Sequence, residues 1–341
     1  MKAYISCISS YLPSRTLSNE QLSNDYPDWS INKIYSKTGI SNRHIASDSE
    51  TCSDMAVKAC ENLFLENSID KDSVDFILLC TQSPDYLLPT TACIVQERLG
   101  LNTGIGALDF NLGCSGYIYG LSLAKGIVET GQAKNVLLIT SEAYSKYINE
   151  SDKSVRTLFG DGATATLISA ENTQGSQSDF IGPFVFGTDG SGAENLIVPH
   201  GGSKFPITEE SSIAVTDSSG NQRSPKNLYM NGGEIFTFTL KTVPASVNAL
   251  LDKAKMTLDD VDYIIFHQAN KFMLDQLRKA CRIEESKFLT SYESFGNTVS
   301  STIPLGLIEA NKAKLFLKGH KIMLIGFGVG YSWAGTIITH A

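Results

Sequence analysis

Three short polar stretches hold the residues with the greatest chemical reach in this chain: Asn111-Leu112-Gly113-Cys114-Ser115-Gly116, His267-Gln268-Ala269-Asn270 and Phe295-Gly296-Asn297-Thr298. Each interrupts the chain near the end of an apolar, strand-like run. Cys114 offers a thiol, the strongest ordinary side-chain nucleophile near neutral pH once its anion is stabilised. His267 and Asn297 offer neutral groups that can donate hydrogen bonds to an oxygen gaining charge. A nucleophile with two such donors suits covalent acyl transfer. Locally, Cys114 follows Ala107-Leu108-Asp109-Phe110 and precedes the apolar helical pattern Tyr117 to Ala124. The thiol therefore falls at a helix N-terminus, where backbone N–H groups and the helix dipole favour a thiolate, and Gly113 and Gly116 permit a tight turn. Taken singly, each residue also has a plainer reading: an inert core cysteine, a satisfied core histidine at a strand end, and an asparagine turn.

What distinguishes these readings is the set of elements that must position the three groups. Val74-Asp75-Phe76-Ile77-Leu78-Leu79-Cys80 matches Val261-Asp262-Tyr263-Ile264-Ile265-Phe266-His267 at an offset of 261 − 74 = 187. Lys134 to Ile139 matches Lys321 to Gly326 at the same offset, 321 − 134 = 187. Both are continuous apolar runs with polar flanks, as strands buried on two faces require. Helix-like stretches lie between them, at Thr51 to Asn67, Tyr117 to Thr130 and Lys241 to Ala254. Strand and helix alternating in two similar parts predict a duplicated α/β fold, with halves at residues 1–172 and 173–341. Cys114 then begins the third helix of the first half, and Asn297 lies just before the equivalent helix of the second. His267 ends the strand that matches Val74 to Cys80. Pseudo-symmetry would bring all three to the centre of the molecule. Between the halves, Ser203 to Asn227 has loop chemistry, including Thr216-Asp217-Ser218-Ser219-Gly220-Asn221, and is expected near whatever the protein binds. Gly326-Phe327-Gly328-Val329-Gly330 follows the last apolar run instead of opening a long helix, so it is a weak match to a phosphate loop.

Composition narrows the class. The 341 residues, 42% hydrophobic and 19% charged, describe a globular protein with ample core. A net charge of −8 excludes a general nucleic-acid binder with a basic face. No run approaches the roughly 18 apolar residues of a membrane span, and Met1-Lys2-Ala3-Tyr4-Ile5-Ser6 leads straight into a strand-like pattern without a signal-peptide core. Seven cysteines are scattered with no Cys-x-x-Cys pair, which reads as reduced thiols in a cytoplasm. No Cys/His cluster has zinc-ligand spacing, so no metal is expected.

Several separate motifs in order carry a resemblance that runs end to end: Thr38-Gly39-Ile40-Ser41-Asn42-Arg43-His44-Ile45, Gly113-Cys114 with Gly116, Phe159-Gly160-Asp161-Gly162-Ala163, His267-Gln268-Ala269-Asn270, Gly296-Asn297-Thr298 and Gly326 to Trp333. With these the chain resembles the thiolase superfamily, and most closely the 3-oxoacyl-(acyl-carrier-protein) synthase III family. The resemblance implies a homodimer of five-layered αβαβα subunits with two pseudo-symmetric halves, working in fatty-acid biosynthesis without a cofactor. It implies that Cys114 takes an acyl group from acyl-CoA, and that malonyl-(acyl carrier protein) then loses carbon dioxide and is acylated. His267 and Asn297 would hold the enolate oxygen, and the N–H groups of Cys114 and Val329 the thioester oxyanion. Leu88 matches the position that enters the neighbouring subunit's acyl pocket, and Phe327 would help shape that pocket. Lys37, Lys153, Asn270, Lys271 and Lys279 fall where CoA and the carrier protein bind.

The chain departs from the family pattern at its substrate contacts. An adenine-stacking tryptophan falls at Lys33, an arginine beside it at Lys37, another near the CoA phosphates at Lys153, and a carrier-docking arginine at Phe272. A specialised relative in a secondary-metabolite or surface-glycan pathway is compatible with these changes. The alternative within the fold is an acyltransferase that passes the group from Cys114 to an alcohol or amine. A biosynthetic thiolase would need a second active-site cysteine, yet none follows Cys281. A type III polyketide synthase shares the three residue types but is longer. A papain-like protease places Trp directly after its Cys, where this chain has Ser115. A non-enzymatic interaction protein would be expected to show decayed motifs, and these are intact.

Overall fold

The computed structural model describes residues 1–171 and 180–340. Ten strands build its two main sheets: β1 Lys2–Tyr11, β2 Phe76–Cys80, β3 Gly106–Phe110, β4 Asn135–Glu142, β5 Gly162–Glu171, β6 Ile181–Thr188, β7 Tyr263–Phe266, β8 Phe288–Leu289, β9 Lys321–Gly328 and β10 Ser332–Thr339. The helices that matter to the site are α1 Ile31–Thr38, α2 Cys52–Asn67, α3 Gly116–Glu129, α4 Gly232–Ala254, α5 Lys271–Ala280 and α6 Thr302–Lys312.

The first sheet has the order β1-β5-β4-β2-β3 and the second β6-β10-β9-β7-β8. In each, the three strands that follow the opening pair run parallel to one another, and the outer pair is antiparallel. The duplication is thus visible strand by strand. The register refines the offset. Asp75 N–H bonds Asn135 O at 3.0 Å, and Asp262 N–H bonds Lys321 O at 2.9 Å. Asp75 and Asp262 are 187 apart as expected, but the second pair is 321 − 135 = 186 apart. Matching Lys134 to Lys321 by residue identity was one position out, because backbone pairing and not side-chain likeness sets equivalence.

Buried strands and helices form five layers. A central core joins Ile118, Leu121 and Ala124 of α3 and Ile303 and Leu307 of α6 to both sheets, through Leu78, Val136 and Leu138 on one side and Ile265, Ile322 and Leu324 on the other. Outside the first sheet, Met55, Ala56, Ala59 and Leu63 of α2 cover Ile77, Leu79 and Ile139. Outside the second, Val243, Val247 and Leu250 of α4 and Leu274 and Leu277 of α5 cover Ile264, Phe266, Met323 and Ile325. This is the αβαβα architecture. The strands of the first sheet end at Glu171 and those of the second begin at Ile181; the division expected between 172 and 173 lies outside the described residues.

Residues 203–227 carry a short hairpin, Val215–Thr216 paired with Gln222–Arg223. Arg223 ties it to the first half, with Nε 2.7 Å from Asp152 Oδ2, and braces the hairpin's own turn, with Nη2 2.8 Å from Asp217 Oδ2. No helix among the described residues is long and apolar enough to cross a membrane.

Candidate active site

The two central helices begin side by side, and the chemistry gathers at their N-terminal ends. Cys114 sits in the turn between β3 and α3, closed by Gly116 N–H to Gly113 O at 2.8 Å. Its thiol is buried, and the N–H groups of Cys114 and Val329 face it. Gly328 makes room: a Cβ there would stand 2.8 Å from Sγ and 2.9 Å from the Cys114 Cβ. Burial pushes the thiol up to about 12, the Glu142 charge adds to the rise, and the two N–H groups pull it back only in part. The resting residue is therefore a thiol at neutral pH. The helix end favours a thiolate, as the sequence implied, but desolvation outweighs it here.

His267 extends β7 by one residue, its N–H bonding Ile325 O at 2.8 Å. The ring is buried, meets Phe327 edge-on at 5.5 Å, and has Nδ1 2.7 Å from Thr302 Oγ1. Burial lowers its pKa to about 3, with the Val299 carbonyl opposing the shift, so the imidazole is neutral at physiological pH.

Asn297 is gripped by backbone. Its N–H donates to Leu158 O at 2.9 Å, and its C=O accepts from Gly160 N–H at 3.0 Å, a parallel bridge around Phe159. Gly296 allows the approach, with φ of 69° and only 2.8 Å between a notional Cβ and Leu158 O. Asn297 Oδ1 accepts from Val299 N–H at 2.9 Å. An N–H can only donate, so the network assigns the oxygen there and leaves the Nδ2 amine as the end available to a ligand.

Cys114, His267 and Asn297 all line one cavity of about 250 Å³, with Phe159, Leu196, Met230, Ile235 and Phe327 as walls. Asn270 and Phe272 stand in the lining as well, and Phe272 is half exposed and stacked on Phe236 at 5.3 Å. The walls are apolar, so hydrogen bonds made inside act at low dielectric.

The remaining sequence candidates are distributed more widely. Val329 presents its N–H to the thiol, and Phe327 lies in the wall. Leu88 is 83% exposed and outside this lining. Asn270 caps α5, accepting from Met273 N–H at 2.9 Å. Lys271 and Lys279 are exposed at opposite ends of α5, with Lys271 Nζ 3.6 Å from Asp275. Lys37 is exposed on α1, its Nζ 5.3 Å from the Trp29 ring, and Lys33 shares that ring at 5.4 Å. Lys153 Nζ donates to Ser219 O at 2.8 Å and so fastens the hairpin. Sequence reasoning passed over Thr302 and Glu142. The run Val299-Ser300-Ser301-Thr302, four residues with three hydroxyls directly after the Asn297 motif, was the signal available.

Comparison with known proteins agrees with this geometry. A family model described as 3-oxoacyl-[acyl-carrier-protein (ACP)] synthase III matches residues 108–190, and one for the C-terminal part of the same family matches residues 251–340. Beta-ketoacyl-[acyl-carrier-protein] synthase III of Caldanaerobacter subterraneus is 35% identical over 96% of this chain and 95% of its own length. The chain belongs to the 3-oxoacyl-(acyl-carrier-protein) synthase III family. The Lactococcus lactis synthase III is 36% identical over 98% of each chain. A solved 3-oxoacyl-(acyl-carrier-protein) synthase III superposes with a TM-score of 0.97, at 51% identity and with both chains fully covered. Like these synthases, the protein is an acyl-transferring condensing enzyme with the thiolase-like fold.

Proposed function

We propose that the protein condenses an acyl-CoA with malonyl-(acyl carrier protein) through an acyl-Cys114 intermediate. The observation that carries this reading is the meeting of Cys114, His267 and Asn297 in one apolar cavity, with two backbone N–H groups facing the thiol. In the first half-reaction, Sγ bonds to the thioester carbonyl carbon and the C–S bond to CoA breaks. The CoA sulfur leaves with the proton that Cys114 gives up. The N–H groups of Cys114 and Val329 hold the carbonyl oxygen while it is negative. In the second, the malonyl C–C bond to its carboxylate breaks, carbon dioxide departs, and the electron pair becomes an enolate. Asn297 Nδ2 and His267 Nε2 donate to the enolate oxygen. The α-carbon then attacks the acyl carbon, and Cys114 leaves as the thiolate and regains a proton. A lost donor in such a site costs on the order of 10²–10³ in rate.

Transfer to an alcohol or amine would require a base near the acceptor, and a histidine held neutral down to about pH 3 beside a carboxamide donor suits an enolate better. Carrier-protein and CoA contacts fall to Lys37, Asn270, Lys271, Lys279 and Lys153, whose ammonium keeps further N–H donors beside the one given to Ser219 O. No cofactor is required by these steps. A homodimer is supported by the outer edge of β3, which pairs with no further strand among the described residues, and by the exposed Leu87, Leu88, Leu108 and Phe186. A cytoplasmic setting fits the scattered free cysteines.

The test is a panel of acyl-CoAs offered with and without labelled malonyl-(acyl carrier protein), read by intact-protein and product mass. We expect one acyl adduct per chain, absent in Cys114→Ala, and a 3-oxoacyl product. An adduct that persists in Cys114→Ala would place the nucleophile elsewhere.

A further inference from the structure

A neutral histidine donates to an enolate only when its cavity-facing nitrogen carries the proton. His267 uses Nδ1 for Thr302, which leaves Nε2 as the nitrogen for the cavity. Two arrangements fit the same heavy atoms. In one, the Thr302 hydroxyl donates to Val299 O at 3.0 Å and accepts from Nδ1–H, which leaves Nε2 with a bare lone pair. In the other, the hydroxyl donates to Nδ1, and the ring proton stays on Nε2. A hydroxyl has one proton, so the two exclude each other.

We propose that Thr302 is the positioning residue that keeps the proton of His267 on Nε2, by donating its hydroxyl to Nδ1. This rests on the reading that His267 donates to the enolate. Two features of the structure favour it. The contact to Nδ1, at 2.7 Å, is shorter than that to Val299 O. Val299 O already accepts the backbone N–H of Thr302, so it is not orphaned when the hydroxyl turns away. Against it stands the Val299 carbonyl, which faces the ring from a residue held at φ 57°, a left-handed backbone rare for a β-branched side chain. That carbonyl is the competitor. It accepts and cannot donate, and because Thr302 Oγ1 lies 2.7 Å from Nδ1 and 3.0 Å from that carbonyl, the carbonyl is on the Nδ1 side, so a ring bonded to it carries its proton on Nδ1. Without the Thr302 hydroxyl, Nδ1–H would turn to Val299 O and present a lone pair to the enolate oxygen. Electrons would face electrons.

The deciding experiment compares wild type, Thr302→Val and Thr302→Ser by ¹⁵N NMR of histidine-labelled protein, with the His267 signal assigned by its loss in His267→Ala. The same samples are assayed separately for Cys114 acylation and for release of carbon dioxide from malonyl-(acyl carrier protein). We expect Nε2–H in wild type and Thr302→Ser, and Nδ1–H in Thr302→Val. Decarboxylation should fall about 10²-fold in Thr302→Val, with acylation within about threefold and Thr302→Ser near wild type, as for other lost oxyanion donors. Nδ1–H in the wild type would overturn the proposal, even if Thr302→Val fails to fold. So would wild-type decarboxylation in Thr302→Val, or equal losses in both steps. Failure of the underlying reading looks different: His267→Ala would then decarboxylate at the wild-type rate.

Discussion

At the scale of single residues, Glu142 is the most consequential group that no motif announced. It is fully buried at the end of β4, where Gln82 N–H donates to Oε2 at 3.0 Å and Ser300 Oγ–H to Oε1 at 2.8 Å. Burial pushes its carboxyl up to about 8, and those hydrogen bonds pull it back only partly. In an unfolded chain the same group ionises near pH 4.3. The folded state therefore holds a proton that the unfolded state releases across the window from about 4.3 to 8. The stabilisation is whole below that window and is lost as pH rises through it, at roughly 1.4 kcal/mol per pH unit. Glu142→Gln keeps the shape and removes the titration. We expect its urea midpoint to fall less than that of wild type between pH 5 and pH 8. Equal falls in both proteins would show that Glu142 is ionised in the fold. Cys114 and His267, by contrast, were legible as candidates, Cys114 from its strand-to-helix turn and His267 from ending an apolar run, although only their predicted convergence set them apart from core residues. Glu142 and Thr302 were not, since their partners lie 158 and 35 residues away.

At the scale of elements, the site depends on two irregular segments pressed together. Residues 158–160 receive Asn297, and the residue just before them is held by the buried Arg43 guanidinium, whose Nε donates to Thr157 O at 2.9 Å. Arg43 has no carboxylate partner among its hydrogen bonds, and burial lowers it only to about 9, so it remains a cation at pH 7. Ser301 joins the turn before α6 to the other half through Thr140 Oγ1 at 2.8 Å. Gly296 is the narrow point. Its φ of 69° with ψ of −161° is a region open to glycine almost alone, and a side chain would meet Leu158 O at 2.8 Å and Arg43 Cγ at 3.0 Å. Gly296→Ala should cost about 1–3 kcal/mol of stability and displace Asn297. We expect decarboxylation to drop at least about tenfold while acylation of Cys114 continues. An Ala variant that decarboxylates normally would mean that Asn297 is not held by this bridge. The alternation of strand and helix was readable from apolar periodicity, but this bridge was not. Contacts between irregular backbone segments leave no periodic trace.

At the scale of the whole molecule, duplication explains why the site is central. Two similar halves place the ends of α3 and α6 together, and the apolar pattern of paired strands was enough to infer that arrangement. The pattern could not reveal what happens at the outer edge of β3. Among the described residues that strand is bonded to β2 on one side only, and the chain exposes Leu108 on it at 37%, with Leu87 at 90% and Leu88 at 83% elsewhere. An unpaired strand edge with an exposed leucine is a site for pairing with another chain. Two copies joined edge to edge would extend the five-stranded sheet to twice its width and cover that side chain. Leu88 would then have a route to a neighbour's acyl cavity, which it does not line in its own chain. We expect the protein to sediment at twice its 37.0 kDa. Leu108→Asp should put a charge on the edge, shift the mass toward one chain, and blunt discrimination between acyl-CoAs of different length, while Cys114 still becomes acylated. A variant that stays dimeric with unchanged chain-length preference would move the interface away from β3, and Leu88 away from the acyl pocket with it.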